Sequence, residues 1–204
     1  MISQWIRTWY GALLRPFLDF LARLGITANH LTVASLFVVI IAGILFALGK
    51  TVLGAWILLF GGFLDGIDGA LAQTTGVKSP FGGFLDSISD HCGDFVIYLG
   101  LLLLYLQSHA VIEIILIFVA MFASVFGSHV RSRAGMVGID TKMVGLFTRA
   151  ERILVLIIGI LIGKASIALW VLAILNSFSA LQRVIYTIRI ARQSGTVLQS
   201  QETL

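Results

Sequence analysis

Charge is scarce in this sequence. Only 12% of its 204 residues are Asp, Glu, Lys or Arg, and the mean hydropathy is +1.01. A soluble domain carries about 25% charged residues. Half that share leaves too little polar surface to wrap a water-soluble core, which excludes a soluble globular enzyme and a disordered chain. Cysteine is nearly absent. Cys92 stands alone, so no intrachain disulfide can form and a disulfide-stapled secreted domain is excluded as well. Internal repeats and low-complexity runs are missing. A secretory leader is not expected: the early arginines are spread through residues 1–26, with no apolar core ahead of a small-residue cleavage site.

What is abundant is apolar length. Six long stretches run over about 29–49, 52–74, 81–107, 109–133, 150–163 and 166–190. A spanning helix needs roughly 20 apolar residues, so six leave no room for an ordinary extramembrane domain. The fifth is short and is expected to recruit residues from 147 onward. Thr51 and Ser79 sit where helix N-caps belong, and Pro80 suits a first helical turn. Ahead of the spans, Trp5, Ile6, Trp9, Leu13, Leu14, Phe17, Leu18 and Leu21 recur at helical spacing, with Arg7, Arg15 and Arg23 between them. That pattern predicts an amphipathic helix lying in the membrane interface.

The fold class expected is therefore all-α integral membrane: six transmembrane helices preceded by an amphipathic interfacial N-terminal helix. Its parts are an interfacial helix over 1–26, a six-helix domain over 27–192 and a polar, fraying tail over 193–204. With six spans, all of the 14 Lys and Arg residues except Lys50 and Lys164 fall on the side of the termini. The positive-inside rule puts that side in the cytoplasm. The expected location is the plasma membrane, with the lipid bilayer as a partner and no nucleic acid. Trp56 and Trp170 suit aromatic belts, and Glu113 an interface.

Carboxylates inside spans are expensive, about 2.5–3.5 kcal/mol at the bilayer centre on insertion scales. Asp65, Asp68, Asp86, Asp90 and Asp94 nonetheless lie in the second and third spans, either side of the 75–80 loop. Asp65 and Asp68 are i, i+3; Asp86 and Asp90 are i, i+4; each pair shares a helix face. An antiparallel hairpin lets the two faces meet, and divalent cations are the economical way to neutralise four converging carboxylates. An all-oxygen donor set suits Mg²⁺, Mn²⁺ or Ca²⁺ over Zn²⁺. His91 and Cys92 do not make a tetrahedral zinc set, and Asp94 is not assigned as a ligand. Gly61, Gly62, Gly66, Gly69, Ala70, Ala72, Gly82 and Gly83 strip bulk from the same helices. Small residues serve close helix packing, or room for a flat or phosphorylated ligand.

The run Asp65-x2-Asp68-Gly69-x2-Ala72-Gln73-x8-Gly82-x3-Asp86-x3-Asp90 resembles the signature of the CDP-alcohol phosphatidyltransferase family, D-x2-D-G-x2-A-R-x8-G-x3-D-x3-D. It departs at one position, where Gln73 replaces Arg and offers a neutral donor in place of a charged, bidentate one. Ala28 stands where Pro is common, and His91 where Arg is frequent. The resemblance implies two Mg²⁺ or Mn²⁺ ions per active site, one held by Asp65, Asp68 and Asp86, the other by Asp86 and Asp90. It implies a CDP-linked lipid (CDP-diacylglycerol or CDP-archaeol) bound by Asn29, Thr32, Gly69, Ala72, Gln73 and Ser79. Asp90 would be the general base, CMP the leaving group, and the protein a homodimer.

The stretches Val130-Arg131-Ser132-Arg133-Ala134, Gly138-Ile139-Asp140 and Arg149-Ala150-Glu151-Arg152 resemble the branch of that family that uses inositol phosphate and makes phosphatidylinositol phosphate or archaetidylinositol phosphate, although Gly135 replaces an acidic residue often seen there. That likeness implies that Arg131, Arg152 and Arg183 grip the acceptor phosphate. Glycerol 3-phosphate, giving phosphatidylglycerol phosphate, is the alternative acceptor. A cation transporter or channel is the alternative from another class, although the acids lie toward one face and no inverted repeat accompanies them.

Overall fold

The computed structural model describes residues 15–74, 79–141, 144–145 and 147–201, with side chains to residue 193. Among them every regular element is helical. Residues 15–23 form α1, followed by α2 (Ala28–Ala47), α3 (Thr51–Thr74), α4 (Pro80–Gln107), α5 (Val111–Met136), α6 (Arg149–Leu161) and α7 (Ala165–Gln201). Trp5, Ile6, Arg7, Trp9, Leu13, Leu14, Lys78 and Lys142 lie outside the described residues.

Five helices (α2, α3, α4, α5 and α7) are long and apolar enough to cross a bilayer, yet only a third or slightly more of each span is buried inside the protein. Large apolar side chains such as Phe37, Trp56, Phe122 and Trp170 point outward. Water would penalise that arrangement, whereas lipid accepts it.

The chain divides into two compact units, Met1–Gly100 and Leu101–Leu204. In the first, α2 packs on α3, and glycines let the helices close up. A Cβ on Gly54 would meet the Phe46 ring at 2.7 Å, and one on Gly43 would meet Val96 of α4 at 2.5 Å. Gly100 lies directly against the Gly43 carbonyl, so bare backbone faces bare backbone. Leu18 and Leu21 of α1 are buried against Ile67 and Leu71 of α3, at the end that carries the aspartates. Phe17 and Phe20 on the same helix, and Leu24 in the turn after it, stay exposed.

In the second unit, α7 packs against both α5 and α6. Polar bonds supplement the packing: Asn176 Nδ2 donates to the Ala120 carbonyl at 3.1 Å, and Ser166 Oγ to Glu113 at 2.9 Å. Glu113 is thus half-buried and bonded from α5 to α7.

Three local expectations need correction. Thr51 is the first residue of α3, and the N-cap position falls to Lys50, whose carbonyl accepts from Gly54 N at 2.9 Å. The fifth stretch does not extend to 147. Thr148 caps α6 reciprocally with Glu151, which sets the start at Arg149 and leaves 13 residues. At 1.5 Å per residue this helix is about 20 Å long. The polar tail does not leave the helix at 193: α7 continues to Gln201. Ser79 does cap α4, its Oγ accepting from Gly82 N at 2.9 Å, with Pro80 next in line.

Candidate metal and nucleotide site

The α3–α4 hairpin brings three carboxylates together. One oxygen each from Asp65, Asp68 and Asp86 lie within 4.8 Å of one another. Asp65 and Asp68 stand one turn apart on α3, and Asp86 enters from the second turn of α4 because Ser79 and Pro80 fix where that helix starts. Asp68 is buried at 6% exposure, Asp65 half-buried and Asp86 exposed, so the trio runs from the interior to an open edge. Thr32 Oγ1 on α2 donates to Asp68 Oδ2 at 2.5 Å, fixing one oxygen and turning the carboxylate.

Two like charges about 4–5 Å apart repel by roughly 3–4 kcal/mol at an effective dielectric of about 20. A bound dication removes that cost. The donor set fits one. All three ligands are carboxylate oxygens, and their spread is about that of opposite ligands on a single ion with bonds of roughly 2.1–2.5 Å.

Beside the trio lies a cavity of about 300 Å³. Ala28, Asn29 and Thr32 line it from α2; Asp68, Gly69, Ala72 and Gln73 from α3; Ser79, Gly82, Gly83 and Asp86 from the start of α4. All six residues expected to contact a CDP-linked lipid are on this wall. Ser79 and Asn29 converge over Gly82, where a Cβ would sit 3.1 Å from Ser79 Oγ and 3.2 Å from Asn29 Oδ1. Around Gly62, Gly66, Gly69 and Gly83, in contrast, nothing lies within 4 Å of where a Cβ would be. Of these, Gly69 and Gly83 line the cavity and leave its wall without side-chain bulk. Ala28, to which no binding role was assigned, also lines the cavity, as does Gly83, one of the small residues expected to leave room there.

Asp90 lies one turn beyond Asp86. It is half-buried and is neither in the trio nor on the cavity wall. His91 Nδ1 is bonded to the Ser87 carbonyl at 2.6 Å, and Cys92 is exposed.

The second unit gathers the three arginines expected to meet an acceptor phosphate. Arg131 on α5 is exposed, Arg152 on α6 half-buried and Arg183 on α7 buried. The first two lie near enough for their charges to act on the third. The guanidinium of Arg183 donates from Nε to the Val144 carbonyl at 2.9 Å and from Nη1 to the Gly127 carbonyl at 3.1 Å. These bonds join residues 39 and 56 apart in the chain, a pairing that no local pattern announces.

Helices long and apolar enough to cross a bilayer, with a carboxylate trio beside a cavity, define a membrane protein whose site suits a divalent cation. The comparison with known families narrows this: residues 25–191 match the model of CDP-alcohol phosphatidyltransferase, and the chain belongs to that family. It is similar to archaetidylinositol phosphate synthase of Pyrococcus horikoshii, 37% identical over 80% of this chain and 85% of that protein. It is also similar to archaetidylinositol phosphate synthase of Methanothermobacter thermautotrophicus, 32% identical over 91% of this chain and 95% of that one. Among solved structures it resembles Mycobacterium tuberculosis phosphatidylinositol phosphate synthase in complex with manganese and citrate. There the TM-score is 0.77 and the identity 25%, over 84% of this chain and 87% of that chain. Family membership makes the protein an enzyme and displaces the transporter alternative.

Proposed function

We propose that the protein transfers a phosphatidyl or archaetidyl group from a CDP-linked lipid to inositol phosphate, releasing CMP. The observation that carries this reading is the Asp65–Asp68–Asp86 trio at the edge of a cavity walled by the family signature. The acceptor class rests on the synthase relatives and on the convergence of Arg131, Arg152 and Arg183.

Asp65, Asp68 and Asp86 would hold one divalent cation, and Asp86 with Asp90 a second. Bound Mg²⁺ or Mn²⁺ supplies charge screening at the diphosphate and polarises the bond to CMP. The chain's own residues do the rest. Thr32 holds Asp68 in its ligating orientation through the 2.5 Å bond. Gly69 and Ala72 leave room for the cytidine, and Asn29 and Ser79 offer polar atoms on the opposite wall. Gln73 presents an amide toward the phosphates. Asp90 takes the proton from the attacking hydroxyl; the new P–O bond forms as the bond to CMP breaks, and CMP leaves with the electron pair.

In this reading α6 completes a sixth span despite its length, α1 lies in the interface with Phe17, Phe20 and Leu24 toward lipid, and both termini face the cytoplasm. The enzyme works in the plasma membrane as a homodimer.

The test is CMP release from CDP-diacylglycerol and from CDP-archaeol, with Mn²⁺ or Mg²⁺ and a panel of acceptors. Release with inositol phosphate above glycerol 3-phosphate, serine and inositol is expected. Preference for glycerol 3-phosphate would move the assignment to phosphatidylglycerol phosphate synthesis. No release with any acceptor would overturn it.

A further inference from the structure

The loop between α5 and α6 meets α7 at Val144 and at its neighbour Gly145. The φ of Gly145 is +114°, a conformation that an L side chain rarely adopts. A Cβ there would lie 2.6 Å from Ser179 Oγ, 2.9 Å from Arg183 Nε and 3.0 Å from Arg183 Nη2. Gly127 on α5 stands by the other arm of the same guanidinium, with Nη1 3.4 Å from where its Cβ would be. The group is thus seated between two glycines. The carbonyls of Gly127 and of Val144, the residue before Gly145, fix its plane. Arg183 is 9% exposed, and Arg131 and Arg152 add like charge beside it. A guanidinium locked in plane by two carbonyls binds an oxyanion with less entropy lost than a mobile one.

We propose that Gly145 is a positioning residue for acceptor binding: its missing side chain lets the α5–α6 loop lock Arg183 into an anion-receiving orientation. The proposal rests on the acceptor reading above. It assigns the loop, rather than the arginines alone, as a determinant of acceptor affinity.

The test compares the purified full-length protein with Gly145→Ala by two readouts. In CMP-release assays the variant's KM for inositol phosphate should rise about tenfold, with kcat and the KM for the CDP-lipid within about twofold. In thermal-shift titrations with inorganic phosphate, the concentration giving half-maximal protection should rise by a similar factor. A KM and a phosphate titration both unchanged would overturn the proposal. Should Gly145→Ala lose stability and all kinetic parameters together, Ser179→Thr decides. It adds a methyl at the same contact without altering the loop backbone, and it should raise the acceptor KM selectively; a general loss or no change contradicts the proposal. If the unaltered protein releases no CMP, the acceptor reading fails separately. The phosphate titration still judges Gly145: weaker protection in the variant supports it, and equal protection or none in either protein overturns it.

Discussion

Glycines in this chain divide by what surrounds them, and the division separates packing from chemistry. Gly43, Gly54 and Gly100 sit where a Cβ would collide with a neighbouring helix, whereas nothing lies within 4 Å of a Cβ on Gly69. Gly69→Leu should therefore leave thermal stability nearly unchanged while raising the KM for the CDP-lipid at least tenfold, read by CMP release and a melting curve. Gly100→Ala should do the opposite. Its methyl would strike the Gly43 carbonyl, and overpacking of that kind costs about 1–3 kcal/mol, read as a lower Tm in detergent. Gln73 gives a third prediction at this scale. Gln73→Arg places a charged donor on the cavity wall, and a charge-assisted bond is worth about 1 kcal/mol more than a neutral one. The kcat/KM for the CDP-lipid should rise several-fold; an unchanged value would show that the amide already serves. Asp90→Asn should abolish turnover without loss of fold, and retained turnover would remove Asp90 as the base.

At the scale of elements, helix ends decide which side chains face which. Gly49 and Gly163 take positive φ just past α2 and α6, and the amides of Lys50 and Lys164 reach back to the carbonyls of Leu45 and Gly159. Both hairpins close in three residues on this device. Ser79 and Pro80 do the equivalent for α4 and so aim Asp86 at Asp65 and Asp68. Span positions were legible because Gly-Lys-Thr at 49–51, Ser-Pro at 79–80 and Gly-Lys at 163–164 interrupt otherwise continuous apolar runs. The start of α6 is written in the Thr148-x-x-Glu151 capping box, a signal that the expectation of membrane-crossing length left unread. Thr148→Ala should lower stability by about 1 kcal/mol, the usual worth of an N-cap, read as a reduced Tm with the KM for the CDP-lipid unaffected.

For the whole molecule, scarce charge and long apolar runs were enough to exclude water as the solvent of the helix surfaces. Spacing put Asp65, Asp68, Asp86 and Asp90 on facing sides of one hairpin, and the first three meet there in one cluster. Two things were beyond such reading. Thr32 meets Asp68 across 36 residues, and Arg183 reaches two carbonyls still more distant in sequence. Contacts of that kind depend on packing distances between helices, which periodicity does not encode. The helical run of α7 through the polar residues after 192 was equally hidden, because amphipathic and apolar patterns give way there to a sequence with neither.

The central claim is that the α3–α4 carboxylates form a divalent-cation site serving a CDP-linked lipid. Electron paramagnetic resonance of Mn²⁺ titrated into the purified protein, with and without CDP, tests it directly. The free-ion signal should fall as the unaltered protein binds manganese, fall further with CDP, and remain at full height for Asp68→Asn/Asp86→Asn. Equal loss of signal with the doubly substituted protein, or none with either, would contradict the account.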